Sequence, residues 1–472
     1  MAENIFRKKD INTILKHPTK LKRSLKTWDL VFLGIGIIIG TGIFVLTGKG
    51  ALTAGPALAV SFFLAAICCF FTALCYSEFA SMAPVAGSAY TYSYISFGEI
   101  IAFVIGWDLI LEYVLGAATV SAGWSGYFLD LIGNFGLHLP TVLTAAAGTT
   151  PGVTTIFNLP AFLIVLAITW LLSIGINQTR KVNDTLVIIK VGVIILFILM
   201  TFWFIKTANW HPFSPYGWYS RHNGSAAGII PGASIVFFSF SGFDAVSSSA
   251  EETINPSKTL PKGTLFSLLI ATVLYIIMTL VMTGVVKFKV FSHYLNAPVL
   301  AVITKTGQSW LSFIVSIGAI LGMTTVILVD IYGQTRISYS MSRDGLFPKF
   351  FGKVSKKHKT PAKGTWFYGT IVALAGGFIN LNILAELVNI GTLTAFVLVS
   401  AGVLYMRHTH PKIHRGFRAP GVPFTPVIAI LFCFVLIAGL NWETWLRFLI
   451  WFAIGMIIYF GYSKKHSHLH KN

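Results

Sequence analysis

Twelve long apolar runs constrain this sequence more than any other feature. Each run is close to the roughly 20 residues that a helix needs to cross the hydrocarbon core of a bilayer. Only 11% of the 472 residues are charged, whereas soluble domains carry about 25%. We therefore predict an all-α polytopic membrane protein of about twelve transmembrane helices. The predicted spans lie at 30–54, 57–82, 97–130, 159–176, 184–205, 227–249, 264–286, 309–341, 364–380, 383–406, 424–440 and 445–462.

The positive charge of the chain lies mainly in the loops on one side of these spans. A net charge of +19 could indicate nucleic-acid binding, but the Lys and Arg residues gather before the first span and in alternate loops. That bias is typical of cytoplasmic loops. We therefore predict a multi-pass protein of the cell membrane with both termini in the cytoplasm, in contact with lipid and not with nucleic acid. The first 27 residues lack an apolar core, so no cleavable signal peptide is expected.

A glycine-rich stretch interrupts the first span. It reads GIGIIIGTGIF from Gly34 to Phe44, and it lacks the spacing and the preceding strand of a dinucleotide fingerprint. Gly36 and Gly40 fit a small-residue motif for helix packing, and this alternative stays open. Each glycine weakens a helix by roughly 1 kcal/mol relative to alanine. Because freed backbone groups find no water at membrane depth, we expect a broken helix that lines a cavity.

A second interruption lies in the sixth span, where residues 237–249 read FFSFSGFDAVSSS. Breaks in the first and sixth spans indicate a 5+5 inverted repeat, in which paired broken helices bind substrate near the midplane. Free N–H groups at a half-helix N-terminus favour an anion, and free carbonyls at a C-terminus favour a cation. Two such helices side by side fit the carboxylate and the ammonium of a zwitterionic α-amino acid.

Five stretches spread over most of the ten-span core also carry a family resemblance: GIIIGTGIF (36–44), PVAGSAYTYSY (84–94), GWDLILEY (106–113), SGFDAVSSSAEETINPSKTLPKG (241–263) and RISYSMSRDGLFP (336–348). Together they resemble bacterial members of the cationic amino acid transporter family, within the amino acid–polyamine–organocation superfamily. The resemblance implies a LeuT-like fold. The expected division is a basic cytoplasmic segment at 1–27, a ten-helix transport core at 28–406, two additional helices at 407–463 and a cytoplasmic tail at 464–472.

The resemblance implies a substrate site made mainly of backbone groups. The substrate carboxylate would bind the N–H groups of Thr41 and Gly42. The substrate ammonium would bind the carbonyls of Ile38, Phe238 and Ser241. Bacterial members also resemble carriers of neutral amino acids, so both cationic and small neutral substrates stay open.

Lys190 lies in the apolar run TLVIIKVGVIILF of the fifth span. An isolated lysine at the bilayer centre costs about 2.5–3.5 kcal/mol on insertion scales, so it needs a partner or a function. Proton-driven members resemble this sequence in carrying a lysine at this place. We expect Lys190 to bind the unwound backbone around Gly36–Ile39 and, by titrating, to couple transport to protons. A permanent ion pair with a carboxylate is the alternative.

Other residues of the spans are candidates for substrate contact or gating. Glu112 shares a helical face with Asp108, and it is expected either to contact a cationic substrate or to pair with a lysine. Met323 is a candidate for limiting the side-chain volume of the substrate, although methionine is more often a core residue. Phe240 and Phe243 are candidates for closing the site, with aromatic packing as the alternative.

For two further acids, Asp244 and Asp330, we expect mainly structural roles. Asp244 is expected to cap the half-helix that follows the second break, with ion binding as the alternative. Asp330 is expected to serve structure or gating in the cytoplasmic half of span eight.

These features predict a secondary transporter that imports small neutral or cationic L-amino acids by proton symport. The alternatives are an amino acid or polyamine exchanger without net proton coupling and a non-transporting sensor. No nucleophile–base signature, metal-ligand spacing or Walker motif occurs in the sequence, so we expect no enzyme, no cofactor and no metal site. A small single-span accessory subunit remains open as a partner.

Overall fold

The computed structural model describes residues 7–9, 24–82, 88–149, 153–175, 180–222, 224–355 and 360–468. Some features of the sequence therefore lie outside the described residues. These are most of the basic segment 1–27, residues 84–87 of the family stretch at 84–94, and the end of the tail at 469–472.

The described residues are mainly helical, as apolar segments in lipid must be, because only intra-helix hydrogen bonds satisfy a single span's backbone there. In chain order the helices are α1 (Thr27–Ile38), α2 (Thr47–Ala54), α3 (Leu58–Met82), α4 (Ser88–Ser96), α5 (Glu99–Gly133), α6 (Leu159–Ser173), α7 (Arg180–Thr201), α8 (Ile229–Val236), α9 (Ala245–Ser248), α10 (Pro256–Val285), α11 (Pro298–Thr306), α12 (Ser309–Arg343), α13 (Ala362–Phe378), α14 (Leu381–Thr409), α15 (Phe424–Ala438), α16 (Trp442–Ile458) and α17 (Lys464–His466). A short antiparallel hairpin of β1 (Ser220–His222) and β2 (Ser225–Ala227) precedes α8.

Every predicted span is covered by helix in the part of the chain that the structure describes. Eight helical stretches are long and apolar enough to cross a membrane, and α1, α6 and α15 are shorter apolar helices. The first predicted span is divided into α1 and α2, and the sixth into α8 and α9. The prediction of an all-α polytopic fold is confirmed. The inverted repeat and the domain boundaries stay predictions.

The helix α5 lies at the centre of the protein. It packs mainly against α12 and α14, and 78% of its most apolar window is buried inside the protein, against 17% for the stretch Trp442–His466. Small residues let neighbouring membrane helices approach closely, and α5 has four of them in a row: Gly116, Ala117, Ala118 and Thr119. The central helix contacts both breaks, at Gly123 beside Thr41 and at Glu112 hydrogen-bonded to Ser241, whereas α16 lies at the periphery.

Candidate functional site

The first break separates α1 from α2. The helix α1 ends at Ile38, and Ile39 adopts an extended conformation with φ −79° and ψ 101°. The chain becomes helical again at Thr41, passes through a π-helical turn at Gly42–Leu46 and continues into α2. The N–H groups of Thr41 and Gly42 therefore stand at the start of a helical segment, where N–H groups have no intrahelical partner.

The second break follows the 3₁₀ turn Phe237–Phe240. Ser241 is extended, with φ −56° and ψ 142°, and Gly242 has a φ of +93°. Residues other than glycine pay a steric cost at such a positive φ. The sequence motif SGFD thus folds as a turn that depends on glycine, and α9 begins three residues later.

The two breaks lie in direct contact with each other. A Cβ atom on Gly42 would overlap Ser239, and a Cβ atom on Gly242 would overlap Cγ2 of Ile37. Glycine at both positions therefore allows the two backbones to approach closely. The close approach brings the unwound segments into one site, as the paired interruptions in the sequence predict.

Two tyrosines of neighbouring helices hold this arrangement. The Tyr275 hydroxyl of α10 lies 2.8 Å from the carbonyl oxygen of Ile38 and 2.9 Å from that of Ser239, so its single O–H can donate to a carbonyl of either break. The Tyr127 hydroxyl of α5 donates to the Phe44 carbonyl at 2.6 Å. We did not predict either tyrosine. A phenol within an apolar span needs a hydrogen-bond partner, and this requirement was the signal available in the sequence.

A cavity lies between the breaks, α5, α12 and α14. Six of the predicted site residues line it: Ile38, Thr41, Gly42, Glu112, Phe238 and Ser241. The rest of the wall consists of Ile37, Gly40, Tyr113, Gly116, Val120, Gly242, Val326, Asp330 and Val388. The structure thus brings together the residues that the family resemblance implied for the head group, and it adds aliphatic side chains and a second carboxyl group.

Two of the three predicted ammonium-binding carbonyls already have protein partners. The Ile38 carbonyl accepts from Tyr275, and the Phe238 carbonyl accepts from the N–H of Ser241 at 3.1 Å. Each carbonyl oxygen has two lone pairs, so a second donor can still bind. The Ser241 hydroxyl donates to Oε1 of Glu112 at 3.1 Å, which places a carboxyl group beside these carbonyls.

Lys190 is completely buried, with 0% exposure. Its Nζ donates to the carbonyls of Gly36 at 2.7 Å and Ile39 at 3.0 Å, and lies 3.4 Å from Oγ1 of Thr325. Among the described residues, no carboxylate forms an ion pair with it. The contacts are those expected with the unwound backbone, and they connect the first break to α12.

Four acids of the spans, Asp108, Glu112, Asp244 and Asp330, form no ion pair in the described part of the chain. Glu112 and Asp330 line the cavity. Asp108 is buried on α5 outside the cavity wall, and neither of its carboxyl oxygens has a hydrogen-bond partner. Asp244 occupies the N-cap position of α9, but its side chain makes no capping hydrogen bond. The Asp244 side chain therefore does not make the expected N-cap hydrogen bond into α9, although only Oδ1 of its carboxyl group is without a partner.

Three predicted residues lie behind the cavity wall. Met323 is completely buried on α12, one turn before Val326, which does line the cavity. Phe240 packs edge-on against Tyr275 with ring centroids 5.3 Å apart. Phe243 packs against Phe396 at 5.0 Å. In this conformation the two phenylalanines make the aromatic packing contacts that the sequence left open as the alternative to gating.

The chain is similar in sequence to known transport proteins. Residues 25–461 match the family described as amino acid permease. The chain is 53% identical to the branched-chain amino acid permease BcaP of Bacillus subtilis (strain 168), with 100% of both chains covered. It is 45% identical to the methylthioribose transporter of the same organism, over 99% of this chain and 100% of the relative. It is 34% identical to cationic amino acid transporter 4, vacuolar, of Arabidopsis thaliana, over 86% of this chain and 68% of the relative.

Proposed function

Because the chain belongs to the amino acid permease family, within the amino acid–polyamine–organocation superfamily, we propose that it carries branched-chain L-amino acids together with protons across the cell membrane. The protein is a multi-pass membrane permease and not an enzyme. Transport would proceed by alternating access, with the two broken helices rearranging around the cavity. Both termini would lie in the cytoplasm, as the distribution of Lys and Arg predicts.

The head group of the substrate would bind between the two breaks. Its carboxylate would accept hydrogen bonds from the N–H groups of Thr41 and Gly42 at the start of a helical segment, where the helix dipole also favours an anion. Its ammonium would donate to the carbonyls of Phe238 and Ser241 and lie near the Glu112 carboxyl group. These residues line one cavity, and this supports a single site for a zwitterion.

The side chain of the substrate would lie against an aliphatic part of the wall. Val120 of α5, Val326 of α12 and Val388 of α14 supply it. Apolar burial is worth about 25 cal/mol per Å², so three converging valines favour an aliphatic side chain. The name of the 53% identical relative, a branched-chain amino acid permease, supports the same substrate class.

Proton coupling would depend on Lys190, and its contacts are the observation that carries this proposal. A lysine ammonium has three N–H donors, and three acceptors lie around Nζ: Gly36 O, Ile39 O and Thr325 Oγ1. A neutral amine has only two N–H donors and would turn its lone pair towards one of these oxygens. Loss of the proton would therefore weaken the tie between the first break and α12, and thus favour a change in the broken helix.

A second candidate substrate is a neutral thiosugar. The methylthioribose transporter is 45% identical to this chain, and the cavity contains two carboxyl groups without basic partners, on Glu112 and Asp330. Carboxylates accept hydrogen bonds from hydroxyl groups, so this wall could bind a ribose ring. An amino acid exchanger without net proton movement remains the alternative mechanism.

Uptake into proteoliposomes that contain only the purified protein tests these proposals. Labelled leucine, alanine, arginine and methylthioribose are offered with and without an inward proton gradient, to the wild type, to Lys190→Ala and to Lys258→Ala, which changes an exposed lysine at the start of α10. We expect gradient-driven leucine uptake in the wild type and in Lys258→Ala, and its loss in Lys190→Ala.

Other results would replace the proposal in defined ways. Uptake that ignores the gradient but requires internal amino acid would indicate an exchanger. Preference for methylthioribose over leucine would assign the second candidate substrate. Gradient-driven uptake that survives in Lys190→Ala would remove Lys190 from the coupling mechanism.

A further inference from the structure

Asp330 is a buried carboxyl group that faces the cavity. It lies on α12, one helical turn after Val326, and both residues line the wall. Asp330 is 9% exposed. Among the described residues, its carboxyl group forms no hydrogen bond and no ion pair. Gly116 of α5 lies next to Oδ2, where even a Cβ atom would come within 3.2 Å. The absence of a side chain on Gly116 therefore leaves space for the Asp330 carboxyl group.

The groups that surround Asp330 are neutral or acidic. Tyr113 and Glu112 of α5 line the same cavity as Asp330, and Asp244 of the second break is a further buried acid. Two bases of the spans lie along α12 on either side of Asp330. Lys190 of α7 contacts α12 at Gly322 and Thr325, more than one turn before Asp330, and Arg336, six residues after Asp330, lies over the ring of Tyr332. Neither base forms an ion pair with Asp330 among the described residues. From α13, Tyr368 bonds to Ser338 further along α12. Within the described residues, α1 and α6 place no charged group beside Asp330.

An aliphatic amino acid in this cavity does not neutralise Asp330. A zwitterion brings one ammonium and one carboxylate, and the head-group site between the breaks uses both. Its aliphatic side chain would lie against Val120, Val326 and Val388 and would exclude water from the same wall. An ionised carboxylate that loses its water without gaining a cation is strongly disfavoured. A proton is the cation that remains available.

We propose that Asp330 is a second proton-binding residue of the transport cycle. Its carboxylate takes up a proton from the side where substrate enters, remains a neutral carboxylic acid while the cavity is occupied, and releases the proton after the substrate leaves. This inference rests on the proposed function, since it requires proton-driven uptake of an aliphatic amino acid. Asp330 would carry one proton with each substrate molecule, in addition to the proton bound at Lys190.

Asp330→Asn tests the inference, because asparagine imitates the protonated carboxyl group but carries no proton through the cycle. Leucine is allowed to accumulate in proteoliposomes at a fixed pH gradient, with the membrane potential held at zero. One proton fewer per leucine lowers the accumulation ratio about tenfold for each pH unit of gradient. We expect this reduction in Asp330→Asn and recovery of the ratio in Asp330→Glu.

Asp108→Asn is the matched control. It also removes a buried carboxyl group without a hydrogen-bond partner, but Asp108 does not line the cavity. The inference predicts a wild-type accumulation ratio in this variant. An unchanged ratio in Asp330→Asn, or an equal reduction in both variants, would overturn it. A wild type that shows no gradient-driven leucine uptake would instead contradict the proposed function itself.

A spectroscopic measurement keeps the test independent of how well the variants fold. In the wild type labelled with ¹³C-aspartate, leucine binding is followed by infrared difference spectroscopy in the band of protonated carboxyl groups. We expect a leucine-induced band that shifts with the aspartate label and is absent from Asp330→Asn. If leucine binds and no label-sensitive band appears, Asp330 does not take up a proton and the inference fails.

Discussion

Val326 and Met323 lie on the same helix, three residues apart, and only Val326 lines the cavity. Both residues are apolar and both are buried. They differ in position because of the orientation of α12 about its axis. This orientation places the side chain of Val326 beside the first break at Gly40. At the scale of single residues, the proposed size limit for the substrate therefore belongs to Val326.

The variant Val326→Leu tests this placement. The extra methylene group would overfill the aliphatic wall, and overpacking typically costs about 1–3 kcal/mol. We expect the KM for leucine to rise roughly tenfold, as about 1.4 kcal/mol corresponds to tenfold, while the KM for alanine changes much less. Competition assays in proteoliposomes with both substrates measure the ratio.

Met323→Leu is the control for this prediction, since leucine and methionine have similar volumes and such exchanges are usually tolerated. We expect it to retain the wild-type ratio of leucine to alanine uptake. If Met323→Leu changed this ratio and Val326→Leu did not, the size limit would belong to Met323, as the sequence analysis proposed.

At the scale of elements, the site depends on two helices that stop and start again within the membrane. The first break presents carbonyl groups to Lys190 and Tyr275, and the second presents a turn at Gly242 with positive φ. Unpaired backbone groups at membrane depth must find such partners. The breaks are therefore stable only because side chains from α7 and α10 satisfy the carbonyls that they expose.

The variant Gly242→Ala is expected to disrupt the second break. Alanine at this φ is strained by roughly 1–3 kcal/mol, and its Cβ would also overlap Ile37 of α1. We expect leucine affinity to fall by about tenfold or more, because the two breaks would move apart. Binding of labelled leucine to the purified variant in detergent measures the effect.

Gly192→Ala is a suitable control for the substitution. Gly192 lies on α7, its φ is not positive, and a Cβ atom there would meet nothing within 4 Å. We expect wild-type leucine affinity in this variant. Equal affinity in Gly242→Ala and the wild type would show that the turn does not shape the site.

At the scale of the whole molecule, a buried acid near the end of α3 joins the core to the loop that leads into the last two membrane helices. Oε2 of Glu78 accepts from Arg407 at 2.7 Å and from the N–H of Ala419 at 2.8 Å. Nε of Arg415 lies 3.2 Å from Oε1 of the same carboxylate. Three groups from residues 407–419 thus meet one carboxylate, which fixes the start of α15 against α3.

Glu78→Ala is expected to destabilise the protein without removing any group that lines the cavity. Breaking a buried ion pair typically costs about 3–5 kcal/mol, and we expect roughly 3 kcal/mol here because the Arg407 side chain keeps 28% exposure. Thermal unfolding in detergent measures the loss, with Glu443→Ala as a control at an acid of α16 that forms no ion pair in the described part of the chain. Equal stability of the two variants would contradict the proposal that Glu78 fixes the loop at residues 407–419 against α3.

The separate parts of the site could be predicted to different extents from the sequence. The glycines at 36–42 and the SGFD turn predict the two breaks. Glycine and serine weaken a helix, and at membrane depth no water is present to bind the backbone groups that are freed. Lys190 is predictable as a functional residue because an unpaired charge in an apolar run is costly. Tyr275 and Asp330 could be identified only as polar residues within apolar spans, since their partners come from other helices.

The sequence by itself determined that this chain crosses a membrane many times and that two of its helices are broken, because apolar length and backbone hydrogen bonding are properties of each segment alone. Only the tertiary structure decided which carbonyls Lys190 and Tyr275 bind, that Val326 rather than Met323 lines the cavity, and that Asp330 has no basic partner. Membrane helices are apolar towards both lipid and protein, so their sequences contain little periodic signal for rotation. The rotation of each helix, and with it the composition of the cavity wall, is set by packing against its neighbours.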